Sequence, residues 1–384
     1  VPNLRFPEFQ EEWEESSIGE MFDLYSGNTP SRLNKSHFKG NVNWISSGEL
    51  KQHYIYSSKE QISEEAAQSL KMLPVGTFVI AIYGLEAEGV RGTGSITKEP
   101  STISQACMAF TSKGKVENEF LYSWYKKHGN VIGIKYAQGT KQQNLSYDIL
   151  EKFKIAYPNA KEQGKLNKFI SLLDERIATQ NKIIEDLKKL KCAIIEKVYS
   201  EIQGKEYSYG QLFDVINERN KQMEYSNILS ASQEKGMVNR DDLNLDIQFE
   251  RSNINTYKIV RKGDYVIHLR SFQGGFAFSD KLGVCSPAYT ILRPNSLLEY
   301  GYLSNYFTSQ RFIKSLVLVT YGIRDGRSIN VDEWLRMKIT IPPKEHQQYI
   351  VKVIGTFERK IEDEEAYAAQ LSIQKQYLLR QMFI

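Results

Sequence analysis

The chain has 384 residues, 41% of them hydrophobic and 25% charged, with a formal net charge of +4 at pH 7. That length exceeds one ordinary core and suits two domains plus an elongated element, in a composition typical of soluble globular proteins. No stretch approaches the ~18 consecutive apolar residues of a membrane span, no signal region opens the chain, and Cys107, Cys192 and Cys285 are few and far apart, so a cytoplasmic protein with reduced thiols is expected.

In chain order, the start Val1-Pro2-Asn3-Leu4-Arg5 lacks an initiator Met, as expected of a chain that begins just inside the natural one. A short segment, Ile18 to Leu24, comes next. Val75-Gly76 then leads a turn glycine into the aromatic and β-branched run Phe78 to Tyr83, which reads as a strand. Met108 to Thr111 reads as another, and Glu119 to Lys127 as a short helix. Pro158-Asn159, with Glu162 three positions after the Asn, has the form of a capping box opening a long helix. Along it Leu166, Ile170, Leu173, Ile177, Gln180, Ile184, Leu187, Lys191, Ile194 and Val198 follow alternating steps of four and three, and Gly204 reads as its stop.

The same succession then returns. Tyr209 to Val215 matches Ile18 to Leu24, Leu229-Ser230-Ala231 matches Ile45-Ser46-Ser47, and Lys262 to Ile267 matches Val75 to Ile80. Strands are expected at Tyr265 to Leu269 and Tyr289 to Leu292, and a helix at Tyr300 to Ser315. Met337 to Pro342 matches Phe153 to Pro158, and Pro342-Pro343 opens a second long helix. Its seam, Ile350, Ile354, Phe357, Ile361, Glu364, Ala368, Leu371, Lys375, Leu378 and Met382, lies 184 positions after the first, with both polar interruptions in register. Steps averaging 3.5 residues keep one apolar stripe facing a partner helix, so an antiparallel coiled coil is expected, each helix roughly 55 to 60 Å long. Each half reads as an α+β unit, mainly β sheet with short helices, and divergent loops on a repeated scaffold suit two different sets of contacts.

Chemistry of catalysis is missing. His37, His53, His128, His268 and His346 are scattered without metal-ligand spacing, and neither a P-loop nor a nucleophile elbow is present. Gly89 to Gly94 reads as a turn. No catalytic residue, metal site or cofactor is expected in this chain. Charge is distributed unevenly: residues 258–338 carry twelve Lys/Arg against six Asp/Glu, and residues 113–154 carry eight against four. Each excess falls late in its half, just before a long helix.

Two polar, glycine-bearing loops occupy those positions. Tyr136 to Asn144 supplies Thr140, Lys141, Gln142, Gln143 and Asn144, and Tyr321 to Asn330 supplies Tyr321, Arg324 and Arg327. Arg pairs bidentately with guanine and Gln or Asn with adenine in the major groove, while Thr, Lys and glycine N–H groups suit phosphates. Lys51, Arg91, Gln105, Arg219, Lys235, Arg270 and Gln273 are further candidates for DNA contact, with Arg270 to Gly275 the best placed, after a strand and ending in glycines.

With the duplicated half, the run Gly322-Ile323-Arg324-Asp325-Gly326-Arg327-Ser328-Ile329-Asn330-Val331, the run Ile341-Pro342-Pro343-Lys344-Glu345-His346-Gln347 and the helix Leu172 to Ile177, the chain resembles the specificity subunit of type I restriction–modification systems. The first half departs from that pattern, lacking the double proline at Tyr157 to Gln163 and the arginines at Gly139 to Asn144. The resemblance implies target recognition domains at 1–158 and 204–342 and long conserved helices at 159–203 and 343–384. It implies a non-catalytic subunit that reads a bipartite asymmetric site in double-stranded DNA and docks two methyltransferase subunits carrying S-adenosylmethionine. Restriction subunits that use ATP and Mg can join them. The competing expectation is an assembly scaffold whose globular ends bind protein.

Overall fold

The structure, a computed structural model, describes residues 2–87, 89–139, 143–232, 235–243, 251–268, 275–321 and 328–384. It divides into two compact units, Val1–Asn181 with Ala366–Ile384, and Lys182–Glu365. Each long helix, Ala160–Glu201 and Lys344–Met382, therefore contributes to both. No helix among the described residues is long and apolar enough to cross a membrane.

Both units are built on one plan. In the first, Glu14–Ser17 pairs antiparallel with Lys154–Tyr157, and Ser17 closes a capping box with Glu20. The main sheet has the order Phe22–Ser26, Cys107–Ser112, Phe78–Ala81, Gly94–Thr97, with Tyr54–Ile55 added as a parallel edge strand. The second unit repeats this. Lys205–Ser208 pairs with Lys338–Ile341, Ser208 and Gln211 form the capping box, and the sheet runs Phe213–Ile216, Thr290–Pro294, Tyr265–Ile267, Phe276–Phe278. Among the described residues, the fifth strand belongs to the first unit alone. A three-stranded sheet, Gln61–Ile62, Val42–Ile45 and Ser101–Ile103, completes the first unit.

Aromatic side chains fill both cores. Phe22, Phe78, Phe110 and Phe120 are fully buried in the first, joined by Leu166, Ile170 and Leu379 from the long helices and by Phe383 just past the second. In the second, Trp334 lies over Tyr209 with ring centroids 4.2 Å apart and planes 12° from parallel, beside Phe213, Phe276 and Phe307. Ile195, Tyr199 and Ile354 of the long helices pack against this cluster.

The first unit sets residues 160–181 against 366–384, where Asp174 meets Lys375 and Arg176 meets Tyr367. The second sets residues 182–201 against 344–365, where Lys191 meets Glu358 at 2.8 Å and Lys188 meets Glu365 at 2.6 Å. Rising numbers on one helix meet falling numbers on the other, so both pairings are antiparallel. All twenty seam positions are buried or half-buried, Gln180 among the buried. Asp174 and Glu358 occupy equivalent positions, as do Lys375 and Lys191, so the same ion pair occurs once in each unit.

The helix starts are fastened alike. Gln163 donates through Nε2 to Lys115 O and Pro158 O and accepts from Glu117 N. Gln347 donates to Leu297 O and Pro342 O and accepts from Glu299 N. Both are buried.

Several local expectations need correction. Asn159 does cap the first long helix, accepting from Glu162 N at 3.0 Å, but the Glu162 carboxylate grips Arg5 bidentately at 2.8 and 2.7 Å, so the reciprocal half of the box is redirected. Gly204 is required by crowding: a Cβ there would lie 2.1 Å from Ile341 O. The first short helix extends from Asn118 to Tyr136. Its counterpart is a 3-10 turn at Tyr306–Thr308 followed by a helix at Gln310–Ser315, split where Ser309 adopts extended backbone and caps Phe312 N.

Candidate nucleic-acid interface

In the first unit Arg91, Gln105, Gln143 and Asn144 lie where the central strand Phe78–Ala81 runs out. Ile82 N donates to Ala106 O, and Ile82 O accepts from Leu145 N, both at 2.9 Å, so the turn bearing Gln105 and the loop bearing Gln143 and Asn144 flank the strand end. Asn144 bridges Tyr83 and Gln138 through backbone. Arg91 reaches across from the Gly89–Gly94 turn and donates through Nη2 to Gln143 Oε1 at 2.7 Å. Its carbons lie so close to the helix Asn118–Tyr136 that a Cβ on Gly133 would come within 2.6 Å of Arg91 Cγ. Gln143 N donates to Glu86 Oε2 at 2.8 Å, which holds that carboxyl below its ordinary range.

Tyr83, Arg91, Gln105, Gln143 and Asn144 thus form one polar cluster from four segments. Lys51 is exposed on a separate turn, its N–H bonded to Glu49 O. Asn43, another polar residue of this half, is buried and accepts from Ser58 N and Gln61 Nε2, which makes it structural. Thr140, Lys141 and Gln142 lie outside the described residues.

The corresponding strand of the second unit, Tyr265–Ile267, ends at His268, whose N–H donates to Gly275 O at 2.8 Å. Burial lowers the His268 pKa, favouring the neutral ring, and its centroid is 6.1 Å from that of Tyr289. Lys258 donates to Tyr289 O at 2.7 Å, and Arg219, exposed, bridges Lys258 through backbone. Lys235 occupies the turn of the hairpin joining Leu229–Ser232 to Gly236–Asn239. Arg270, Gln273, Arg324 and Arg327 lie outside the described residues, and Tyr321 is described through its backbone, paired with Ser328. Among the described residues, Arg91, Gln105, Gln143 and Asn144 of the first unit and Arg219, Lys258, His268 and Tyr289 of the second lie at corresponding strand ends, whereas Lys51 and Lys235 do not: Gly236 beside Lys235 packs on Phe278 O, at the start of Tyr265–Ile267.

Sequence reasoning passed over His53, which the structure buries between Tyr54 and Tyr122, both rings stacked on it at 4.0 Å. No local spacing marks it, because its partners come from distant parts of the chain. The thiols of Cys107 and Cys285 are pushed up to about 12 by burial and stay protonated at neutral pH. No His/Cys/Asp/Glu group among the described residues has the arrangement to hold a metal ion.

Two curated proteins are similar over about half of this chain. The type I restriction enzyme MjaIX specificity subunit of Methanocaldococcus jannaschii is 26% identical over 212 residues, 53% of this chain and 48% of that protein. The EcoR124I/EcoR124II specificity subunit of Escherichia coli is 29% identical over 212 residues, 54% and 48% respectively. The chain spans about half the length of the curated relatives it matches. Among solved structures, the type I restriction–modification S subunit from M. genitalium covers 100% of this chain and 99% of its own at a TM-score of 0.56 and 15% identity. A chain solved in work on complex assembly and conformational transition of the type I R-M system reaches 0.60 at 15% identity, with 97% of each covered. These likenesses establish the duplicated fold. The family profile described as type I restriction modification DNA specificity domain matches residues 10–189 and again 204–372, once for each half, and the chain belongs to that family.

Proposed function

We propose that this chain is the DNA-recognition subunit of a type I restriction–modification complex, each globular domain reading one half of a bipartite, asymmetric target in the major groove. The observation that carries the reading is a scaffold used twice with different polar residues at corresponding strand ends. Strand order, capping box, buried glutamine and helix ion pair recur in both units, whereas Arg91, Gln105, Gln143 and Asn144 occupy the strand end in the first unit and Arg219, Lys258, His268 and Tyr289 occupy it in the second. The paired long helices set the spacer between half-sites and dock two methyltransferase subunits. S-adenosylmethionine belongs to those subunits, and ATP and Mg to a translocase–nuclease partner where one is present. The chain contributes recognition and no catalytic group.

The loop arginines provide the test. Arg324→Ala combined with Arg327→Ala should lower methylation of target DNA by the assembled complex at least tenfold, since each good bidentate base contact is worth about 1–3 kcal/mol. Subunit assembly, followed by size-exclusion chromatography, should be unchanged. Loss of assembly with full methylation per assembled complex would favour the protein-binding scaffold instead.

A further inference from the structure

The two units differ at one buried charge cluster. In the second, Lys191 and Glu358 pair across the helices. In the first, the equivalent Lys375 and Asp174 are joined by His53, whose Nδ1 lies 2.9 Å from Asp174 Oδ2 and whose Nε2 lies 2.7 Å from Glu119 Oε2. His53 therefore connects the loop before the additional edge strand Tyr54–Ile55 to the helix Asn118–Tyr136 and to both long helices. Its backbone O accepts from Ile96 N at 2.8 Å, so the ring's position is passed directly to the sheet.

We propose that His53 is a positioning residue which, as an imidazolium, fastens residues 50–55 of the first domain to the helix pair, and that this domain, unlike the second, loosens as the pH rises. The charged ring lies within ion-pair distance of both carboxylates, and deprotonation removes that shared cation, leaving Lys375 on Asp174 with Lys126 nearby. Burial pulls the His53 pKa down, but Asp174 and Glu119 outweigh it and hold it above the ordinary 6.5. Asp174, which burial alone would raise, is held below its usual value by His53 and Lys375.

The remaining groups around the ring are Tyr122 and Lys126 on the helix Asn118–Tyr136, Ser171 on the first long helix, and Tyr54 with Lys98 over its face at 3.9 Å. Burial and neighbouring Lys375 bring Lys126 down to about 8. The signs separate the two groups. A raised histidine pKa gives stability that is complete below about 6.5 and lost as pH climbs through the folded value, whereas a depressed lysine pKa makes stability rise with pH.

Hydrogen exchange of the full chain without DNA tests the fastening independently of the proposed function. After correction for the intrinsic pH dependence of amide exchange, opening of residues 50–56 should increase with pH above about 6.5, by up to about tenfold per pH unit, the limit for release of one proton. Residues 258–267 of the second unit should show no such trend. His53→Gln should open residues 50–56 at low pH and abolish the trend, and Glu119→Gln should weaken it if His53→Gln fails to fold. A pH-independent wild-type profile, or the same trend in His53→Gln, would overturn the proposal. DNA recognition could fail without affecting this result.

Discussion

Trp334→Ala should destabilise the second unit by about 3–5 kcal/mol, the usual range for removing a buried large aromatic. The indole is fully buried, stacked on Tyr209 and in edge or tilted contact with Phe213, Phe276 and Phe307, so truncation leaves a cavity walled by rings that hold one another in place. Its Nε1 makes no hydrogen bond among the described residues, so the loss is one of packing, and Trp334→Phe should recover more than half of it. Urea unfolding with hydrogen exchange of residues 205–216 measures the effect, with residues 78–81 of the first unit as an internal reference. A loss below about 1 kcal/mol, or an equal loss in both units, would contradict this account of the core.

Gln347→Leu should cost about 2–4 kcal/mol in the second unit, and Gln163→Leu a similar amount in the first. Each glutamine satisfies one buried carbonyl, one part-buried carbonyl and one part-buried N–H, and an unpaired buried polar group costs about 1–3 kcal/mol, part of which local relaxation recovers. The isosteric carboxylate should not rescue either site, because it can accept from Glu299 N or Glu117 N but cannot donate to the two carbonyls. Unit-resolved exchange separates the effects, and a Gln→Glu variant as stable as wild type would refute the assignment of donors.

The α+β class, the internal duplication and both long helices were legible because they rest on periodicity and on repeated segments. A 3.5-residue step persists over thirty-three residues in each helix, and matching anchors such as Phe153–Pro158 and Met337–Pro342 fall on strands pairing with equivalent partners. Ile195, Tyr199, Leu379 and Phe383 were not read as core. Near the helix ends burial rotates from the partner helix onto a globular core, and a stripe defined by one period cannot follow that turn. The counterpart helix at 300–315 was overextended because Tyr306, Phe307 and Phe312 must all face inward, which a turn capped by Ser309 achieves.

The candidate interface was legible in residue type and less so in arrangement. Gln143 and Arg91 are separated by fifty-two residues and are joined only because the loop bearing Gln143 folds back beside Ile82 and Tyr83. His53 escaped for the same reason. Its significance comes from carboxylates on two other helices, and an isolated histidine in sequence has no spacing that foretells them.

The central claim, two readers whose separation the helices set, is tested most directly by mapping methylated adenines in a genome exposed to this chain and its methyltransferase subunits. The map should be repeated after inserting four residues, about one helical turn, between Glu201 and Lys205. The expected result is a split target with two specified halves, both unchanged by the insertion, and a longer unspecified spacer. A single uninterrupted target, or an insertion that alters the half-site bases at constant spacer, would contradict it.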